Sequence, residues 1–307
     1  MITTFHHPGF AAPIGDHVMP MQKFGLVAEA LRGDARVRLV EPAPLTEADL
    51  LRVHTRAYVD AVRTGEPRAL AESQKFPWSP ALYPSVLLTG GGCLAAARTA
   101  LEEGVAAALA SGFHHSHADH GEGFCTFNGL VVAVEALRAA GRVERVAVLD
   151  MDLHYGNGTA SLAAARPYLF NASIYGNDYA GNRAYRDVDE RRHEDGANHV
   201  SYTLANGSGR GEMLAALEAA FEAILAWGRP DLLLYQAGAD PFREDPYSPL
   251  ELDHEDLYAR DHRVFQLARQ HGLPVAWVLA GGYTPDTSQV VRVHTNTFAA
   301  AFAAWGL

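Results

Sequence analysis

Short apolar runs alternate with longer amphipathic stretches along the whole chain. The apolar runs predict strands at Val37–Val40, Val105–Ala110, Val146–Leu149, Tyr168–Ala172, Leu232–Gln236 and Val275–Leu279. The amphipathic stretches predict helices at Phe24–Leu31, Gly91–Glu103, Gly129–Ala140, Gly211–Trp227 and Leu257–His271. This alternation is typical of α/β proteins, so we predict an open, mostly parallel sheet with helices on both faces.

The domain organisation follows from the same pattern and from the length of the chain. Neither an internal repeat nor a low-complexity linker interrupts the alternation. The chain has 307 residues, 48% of them hydrophobic, which is enough for one large core. We therefore expect residues 1–307 to form a single domain.

Charge and cysteine content limit the kinds of binding site and the cellular location that we expect. The formal net charge is −11, which disfavours a general nucleic-acid-binding surface because such a surface needs a basic footprint. Cys93 and Cys125 do not form a CxxC pair, so neither a zinc knuckle nor a redox motif is indicated. We find no signal-peptide pattern and no run of membrane-spanning length, and we expect a cytoplasmic protein without a membrane span.

Polar side chains follow four of the predicted strands directly. In chain order they are His114, His115 and His117, then Asp150, Asp152 and His154, then Asp240, and finally Tyr283. In open parallel sheets, ligand sites lie beyond the carboxyl ends of the strands. If these strands are neighbours, the four groups meet in one crevice, and we predict the active site there.

The segment Asp150–His154 is the strongest candidate for metal binding. In an extended chain Asp150, Asp152 and His154 share one face, and two carboxylates with an imidazole suit a divalent metal. The alternative is that the aspartates cap the next helix and the histidine is incidental. Asp240 is a candidate third ligand, or an N-cap of the following segment.

The tandem pair His114–His115 suits general base catalysis, because the unperturbed pKa of histidine lies near neutral pH. Metal binding is the rival use, since His115 and His117 also form an HxH pattern. Cys125 lacks an obvious partner and is more typical of a small wall residue than of a nucleophile. Tyr283 could donate a hydrogen bond to a developing oxyanion, or it could serve packing alone.

Four motifs occur together in one order: GFHHSHADHGEGFCTFN, VLDMDLHYGNGT, QAGAD and AGGY. Their combination and spacing, from Phe113 to Tyr283, resemble the histone deacetylase family, which includes acetylpolyamine amidohydrolases and bacterial deacetylase-like enzymes. The run Thr89–Gly92, the GFHH and GNG forms and the short ending after AGGY look most like class IV. The N-terminal part resembles the entrance loop of the family only loosely.

The resemblance implies a role for each matching residue. It implies one zinc ion per chain, held by Asp152, His154 and Asp240. It also implies that His115 is the general base, with His114 beside it as an electrostatic partner.

Further roles come from the same resemblance. Asp150 would orient the first histidine of the pair, and Asn157 would be the partner of the second. Asn157 is neutral, so that histidine would be less basic than with an aspartate partner. Tyr283 would polarise the substrate carbonyl, and Gly123 and Phe124 would line an acyl-lysine channel.

A structural monovalent cation is also implied. Main-chain carbonyls of Asp150, Asp152 and His154, together with Ser173, resemble the site at which the family binds K⁺.

The implied activity is hydrolysis of the amide of an acylated amine, such as acetyl-lysine or a longer acyl-lysine, by metal-activated water. Three alternatives stay open: an acetylpolyamine amidohydrolase, a binuclear manganese ureohydrolase of the arginase type, and a non-catalytic acyl-lysine-binding protein. The sequence leaves open the physiological substrate and the oligomeric state.

Overall fold

A single sheet organises the computed structural model, which describes residues 1–15, 17–176 and 196–307. Its strands are β1 (Ile2–Phe5), β2 (Val37–Val40), β3 (Val105–Ala108), β4 (Val146–Asp150), β5 (Leu169–Gly176), β6 (His199–Leu204), β7 (Leu232–Gln236) and β8 (Val275–Val278). Their order across the sheet is β2-β1-β3-β8-β7-β4-β5-β6, and every neighbouring pair is parallel. The predicted α/β fold is confirmed.

Ten α-helices surround the sheet within the described residues. They are α1 (Lys23–Leu31), α2 (Glu47–Leu50), α3 (Arg56–Thr64), α4 (Arg68–Ala71), α5 (Leu82–Glu103), α6 (Gly129–Ala139), α7 (Asn157–Ala163), α8 (Arg210–Trp227), α9 (His254–Gln270) and α10 (Thr287–Trp305). None of these helices combines the length and the apolarity needed to cross a bilayer.

The burial of the strands shows where the core lies. Every residue of the six inner strands is buried, whereas β2 and β6, at the two edges, are partly exposed. Successive side chains of a strand point to opposite faces, so burial of every residue means that both faces are covered.

Helix α5 begins at Leu82, nine residues before its predicted start at Gly91. Glycine is a poor helix former, so the run Gly90–Gly92 indicates the boundary of a helix and not its interior. In the structure the run lies inside the helix, where it packs closely against the preceding segment. A Cβ on Gly91 would overlap the main-chain oxygen of Ala43, and one on Gly90 would overlap the side chain of Leu45.

The four strands that precede the candidate site lie side by side. Strands β3, β8, β7 and β4 are consecutive in the middle of the sheet. Because all of them are parallel, their carboxyl ends meet at one edge. The loops that follow these four strands therefore converge.

Candidate active site

Three ligand-type side chains meet beyond β4 and β7. Asp152 and His154 follow β4, Asp240 follows β7, and one ligand atom from each lies within 4.8 Å of the others. His154 Nδ1 lies 3.0 Å from Asp152 Oδ1 and 3.0 Å from Asp240 Oδ2, and all three side chains are buried. We call these three residues the buried cluster. Two carboxylates and one imidazole are a donor set that zinc accepts.

The buried cluster places two carboxylates beside one imidazole. Oδ2 of Asp240 is buried, and no hydrogen bond of good geometry reaches it from the described residues. Burial opposes protonation of His154, but its hydrogen bond to Asp152 and the charges of Asp152 and Asp240 outweigh burial and raise the pKa of His154 to about 10. A divalent cation would compensate these carboxylates better than one proton does, so the residues fit a metal ion.

Backbone N–H groups of the turn after β8 and of the bend after β4 support the buried cluster. Gly281 N donates to Asp152 Oδ2 at 2.8 Å, and Leu153 N donates to Asp240 Oδ1 at 3.1 Å. A Cβ on Gly281 would overlap both carboxylates. Only glycine therefore fits at this position without displacing them.

A buried arginine ties the two ligand-bearing loops together. Arg260 Nη1 donates to the main-chain oxygens of Met151, at 3.2 Å, and Gly238, at 2.8 Å. Its Nε pairs with Asp261 at 2.8 Å. Arg260 thus fixes the loop after β4 relative to the loop after β7.

The shared-face argument for Asp150, Asp152 and His154 is wrong. Strand β4 ends at Asp150, so the alternation of side chains does not continue through the next four residues. Asp150 instead contacts His114, whereas Asp152 and His154 join the buried cluster through the bend that follows the strand.

The two tandem histidines have opposite electrostatic environments. His114 Nδ1 lies 2.7 Å from Asp150 Oδ2; burial opposes protonation, but Asp150 and then Asp152 outweigh it and raise the pKa of His114. Burial, followed by the charges of His114 and His154, holds the pKa of His115 well below its usual value. The ring centroids of the pair are 4.0 Å apart, so an imidazole whose surroundings favour the proton lies against one whose surroundings disfavour it.

Asn157, the first residue of α7, fixes the tautomer of His115. Its Oδ1 lies 2.6 Å from His115 Nδ1, and its Nδ2 donates to Glu122 Oε2 at 2.7 Å. The Asn157 oxygen can only accept, so Nδ1 of His115 carries the proton and Nε2 carries the lone pair. An imidazole in this tautomer offers the lone pair of Nε2 to a proton.

A narrow cavity reaches the buried cluster. Its lining includes Gly123, Phe124, Asp152, Gly281 and Tyr283. The ring centroid of Tyr283 is 6.1 Å from that of His154 and 6.3 Å from that of Phe124. Phe124 and Tyr283 therefore contact each other and form part of the cavity wall beside the cluster.

Gly123 and Cys125 lie in the loop that lines this cavity. Gly123 has a φ of 52°, and a Cβ there would overlap the ring of His115. Cys125 is buried, and burial raises the pKa of its thiol well above the usual value. The thiolate is therefore disfavoured, as expected of a wall residue.

Ser173 lies on β5 directly opposite Asp150 of β4, and both residues are buried. Ser173 Oγ lies 3.5 Å from the main-chain nitrogen of Gly156. The monovalent-cation site stays a prediction.

Several residues near the site were missed by the sequence reasoning. Lys23 is fully buried, and its Nζ donates to Ala280 O at 2.5 Å; burial lowers its pKa to about 8 although Asp240 and Asp152 oppose this. One signal was available for Lys23, which is one of only two lysines in the chain.

Asp245 and an aromatic wall were missed as well. Asp245 Oδ2 accepts from Tyr283 N at 2.7 Å. Phe76 stacks on Phe124 with centroids 5.7 Å apart, and His17 packs edge-on against Phe124 at 4.7 Å. Nothing in the local sequence around these residues indicates such contacts, because each depends on tertiary structure.

The sequence matches the family model of the histone deacetylase domain over residues 17–298. An uncharacterized protein of a Picosynechococcus species is 30% identical over 302 residues, covering 96% of this chain and 97% of that protein. Histone deacetylase 2 of Arabidopsis thaliana is 30% identical over 291 residues, covering 90% of this chain and 72% of that protein. Acetylpolyamine amidohydrolase 1 of Pseudomonas aeruginosa is 34% identical over 184 residues, covering 59% of this chain and 51% of that protein.

Solved structures share the fold. The HDA15 HD domain superposes with a TM-score of 0.84 at 20% identity, covering 99% of this chain and 90% of that one. The acetylpolyamine aminohydrolase of Burkholderia pseudomallei superposes with a TM-score of 0.76 at 22% identity, covering 99% of each chain. The match over residues 17–298, together with these relatives, shows that the chain belongs to the histone deacetylase family.

Proposed function

We propose that this chain is a zinc-dependent deacylase that hydrolyses the amide of an acylated amine, with residues 1–307 acting as one catalytic domain. The observation that carries the proposal is the contact between the buried cluster and a histidine pair of opposite electrostatic character. Relatives named deacetylase and amidohydrolase support an amide as the bond that is broken.

The metal would be held by Asp152, His154 and Asp240, one ion per chain. Their donor set and their uncompensated charge support this assignment. When bound, zinc supplies a Lewis acid for the amide carbonyl and for the attacking water.

His114 and His115 would carry out the proton transfers of the reaction. His115 is neutral and carries its lone pair on Nε2, so it takes the proton of the attacking water. His114 is held by Asp150, whose carboxylate favours the protonated form and so favours positive charge beside the developing oxyanion. A protonated imidazole of the pair then delivers a proton to the leaving amine, giving a free amine and a carboxylate.

Tyr283 and the cavity wall would orient the substrate. The Tyr283 hydroxyl donates to the carbonyl oxygen, a role supported by the position of its ring beside His154. Gly123 and Phe124 flank the aliphatic chain of the acylated amine. The class IV subgroup and a structural K⁺ at Asp150, Asp152, His154 and Ser173 belong to the same proposal.

An acetylated polyamine is the second candidate substrate. Relatives named acetylpolyamine amidohydrolase from two organisms support it, and the net charge of −11 tolerates a cationic amine. Membership of the deacetylase family disfavours a manganese ureohydrolase. The buried cluster disfavours a non-catalytic acyl-lysine-binding protein.

The substrate class is tested by comparing kcat/KM for acetyl-, octanoyl- and myristoyl-lysine peptides and for acetylputrescine on the zinc-loaded protein. We expect turnover of acyl-lysine, with octanoyl at least equal to acetyl, because each buried methylene contributes about 0.8 kcal/mol. A steep fall from acetyl to octanoyl would contradict the long-chain expectation. A preference for acetylputrescine would assign the protein to the polyamine branch, and no turnover of any of the four would refute the deacylase proposal.

A further inference from the structure

A second group of metal-type ligands lies at the surface beside the active site. Among the described residues, His117, His120 and Glu122 each bring one ligand atom within 4.8 Å of the others. Their side chains are 20%, 45% and 39% exposed, in contrast to the buried cluster. The two imidazole rings stack with centroids 4.5 Å apart and an interplanar angle of 9°. We call these three residues the surface cluster.

Hydrogen bonds fix the tautomer of His117. Ser161 Oγ donates its one hydrogen to Gly158 O at 2.8 Å, so it accepts from His117 Nδ1, which also lies at 2.8 Å. With the proton on Nδ1, Nε2 of His117 carries the lone pair. That atom lies 3.5 Å from Glu122 Oε2, so a nitrogen and a carboxylate ligand face each other.

His120 is oriented in the same way. Asp119 Oδ1 accepts from His120 Nδ1 at 2.7 Å, which leaves Nε2 of His120 as the ligand atom. In metal sites a ligating imidazole usually donates its other ring N–H to a carboxylate or another acceptor. Both imidazoles of the surface cluster already have such a partner.

The charge of the surface cluster favours a cation. Glu122 and Asp119 each bring a carboxylate to this surface beside the two imidazoles. Two imidazole nitrogens and a carboxylate suit divalent transition metals such as Zn²⁺. We propose that His117, His120 and Glu122 bind a second Zn²⁺-type ion, more weakly than the buried cluster.

Asn157 connects the surface cluster to the catalytic pair. Its Nδ2 lies 2.7 Å from Glu122 Oε2 and 3.3 Å from His117 Nε2, and its Oδ1 holds His115 Nδ1. A metal ion on His117 Nε2 takes the lone pair that faces Asn157 Nδ2, and on Glu122 it competes with the amide for Oε2. Asn157 then loses its anchor, and His115 loses its fixed orientation. Occupancy of the surface cluster therefore inhibits turnover, a consequence that rests on the proposed function.

The binding step is tested by titrating Zn²⁺ into protein that retains its tightly bound metal. We expect one further equivalent in the unchanged protein and at least about tenfold weaker binding in His120→Gln, since even indirect disturbance of a ligand costs that much. His262→Gln, which removes a histidine of α9 outside the surface cluster, is the matched control and keeps the affinity.

The absence of a further equivalent, or equal affinity in His120→Gln, would overturn the site. The test compares only the binding of this further Zn²⁺ equivalent in the unchanged protein and in His120→Gln. Its result therefore does not depend on whether the chain hydrolyses amides.

The coupling is tested by turnover in the same titration. Added Zn²⁺ should inhibit the unchanged protein over the concentration range in which the further equivalent binds. His120→Gln should keep the basal rate and need at least about tenfold more Zn²⁺ for inhibition. Equal inhibition in both proteins would overturn the coupling through Asn157. Failure of the proposed function shows differently, as an absence of turnover before any Zn²⁺ is added.

Discussion

At the scale of single residues, burial lowers the pKa of His115, and the hydrogen-bond partner of its Nδ1 is the neutral amide of Asn157. Glu122 lies beyond that amide and contacts it through Nδ2, so its negative charge reaches His115 only indirectly. An enzyme built this way keeps its base unprotonated to a lower pH than a direct carboxylate partner would allow.

The first prediction follows from that contact. The base form of His115 is lost as the pH falls through its pKa, which lies well below 6.5, so the acidic limb of kcat/KM should lie below pH 6.5. Asn157→Asp places a charge beside Nδ1, favours the protonated form, and should move the limb upward by about 1–3 pH units. A limb that stays in place, or that moves to lower pH, would show that His115 is not the base.

Tyr283 gives the second prediction. Tyr283→Phe removes one hydroxyl and keeps the ring contacts to His154 and Phe124. The variant should fold, retain its metal and lose about 100- to 1,000-fold in kcat, as expected for one oxyanion donor. Rates are measured on an acetyl-lysine peptide with metal content determined in parallel. A variant nearly as active as the unchanged protein would mean that the hydroxyl does not contact the carbonyl.

At the scale of elements, the turn after β8 positions both carboxylates of the buried cluster. Gly281→Ala should displace Asp152 and Asp240 and weaken metal binding roughly 10- to 100-fold, because it disturbs the groups that hold the ligands. Gly211→Ala, on α8 with no atom within 4 Å of the new Cβ, is the matched control and should keep its metal. Both are measured by competition with a chromogenic chelator, and equal affinities would contradict the account of the turn.

The elements also show how far sequence reasoning reaches. Fully buried parallel strands read as continuous apolar runs, so β7 was predicted to the residue and the loops after four central strands were located correctly. Strands β6 and β1 were missed because polar and apolar positions mix in their sequences, HVSYTL and ITTF. Helix α7, which begins at Asn157, was missed because its start is a glycine-rich run.

Residues that act through long-range contacts were beyond the sequence. Arg260 and Asp245 lie on segments whose local pattern predicts only a helix and a loop, and their partners are fixed by the packing of those segments. The candidate metal ligands could be located because they follow strands directly. Their mutual distances could not be derived, since they depend on a bend after β4.

At the scale of the whole molecule, the sheet order assembles the site from distant parts of the chain. Strands β3 and β8 are neighbours although 166 residues separate their ends at Ala108 and Val275, and β7 separates β8 from β4. Loops from residues 114, 152, 240 and 283 therefore meet only in the folded protein. We expect metal binding and turnover to be lost together when this edge of the sheet is disturbed.

The central claim is that one metal ion in the buried cluster makes this chain a hydrolase. The most direct measurement is turnover of an acetyl-lysine peptide while Zn²⁺ is added to metal-free protein, beside Asp240→Ala. The account predicts that activity rises to its maximum at one equivalent per chain, and that Asp240→Ala neither binds this equivalent tightly nor turns over. Full activity without metal, a maximum only at two equivalents, or unchanged metal binding in Asp240→Ala would contradict it.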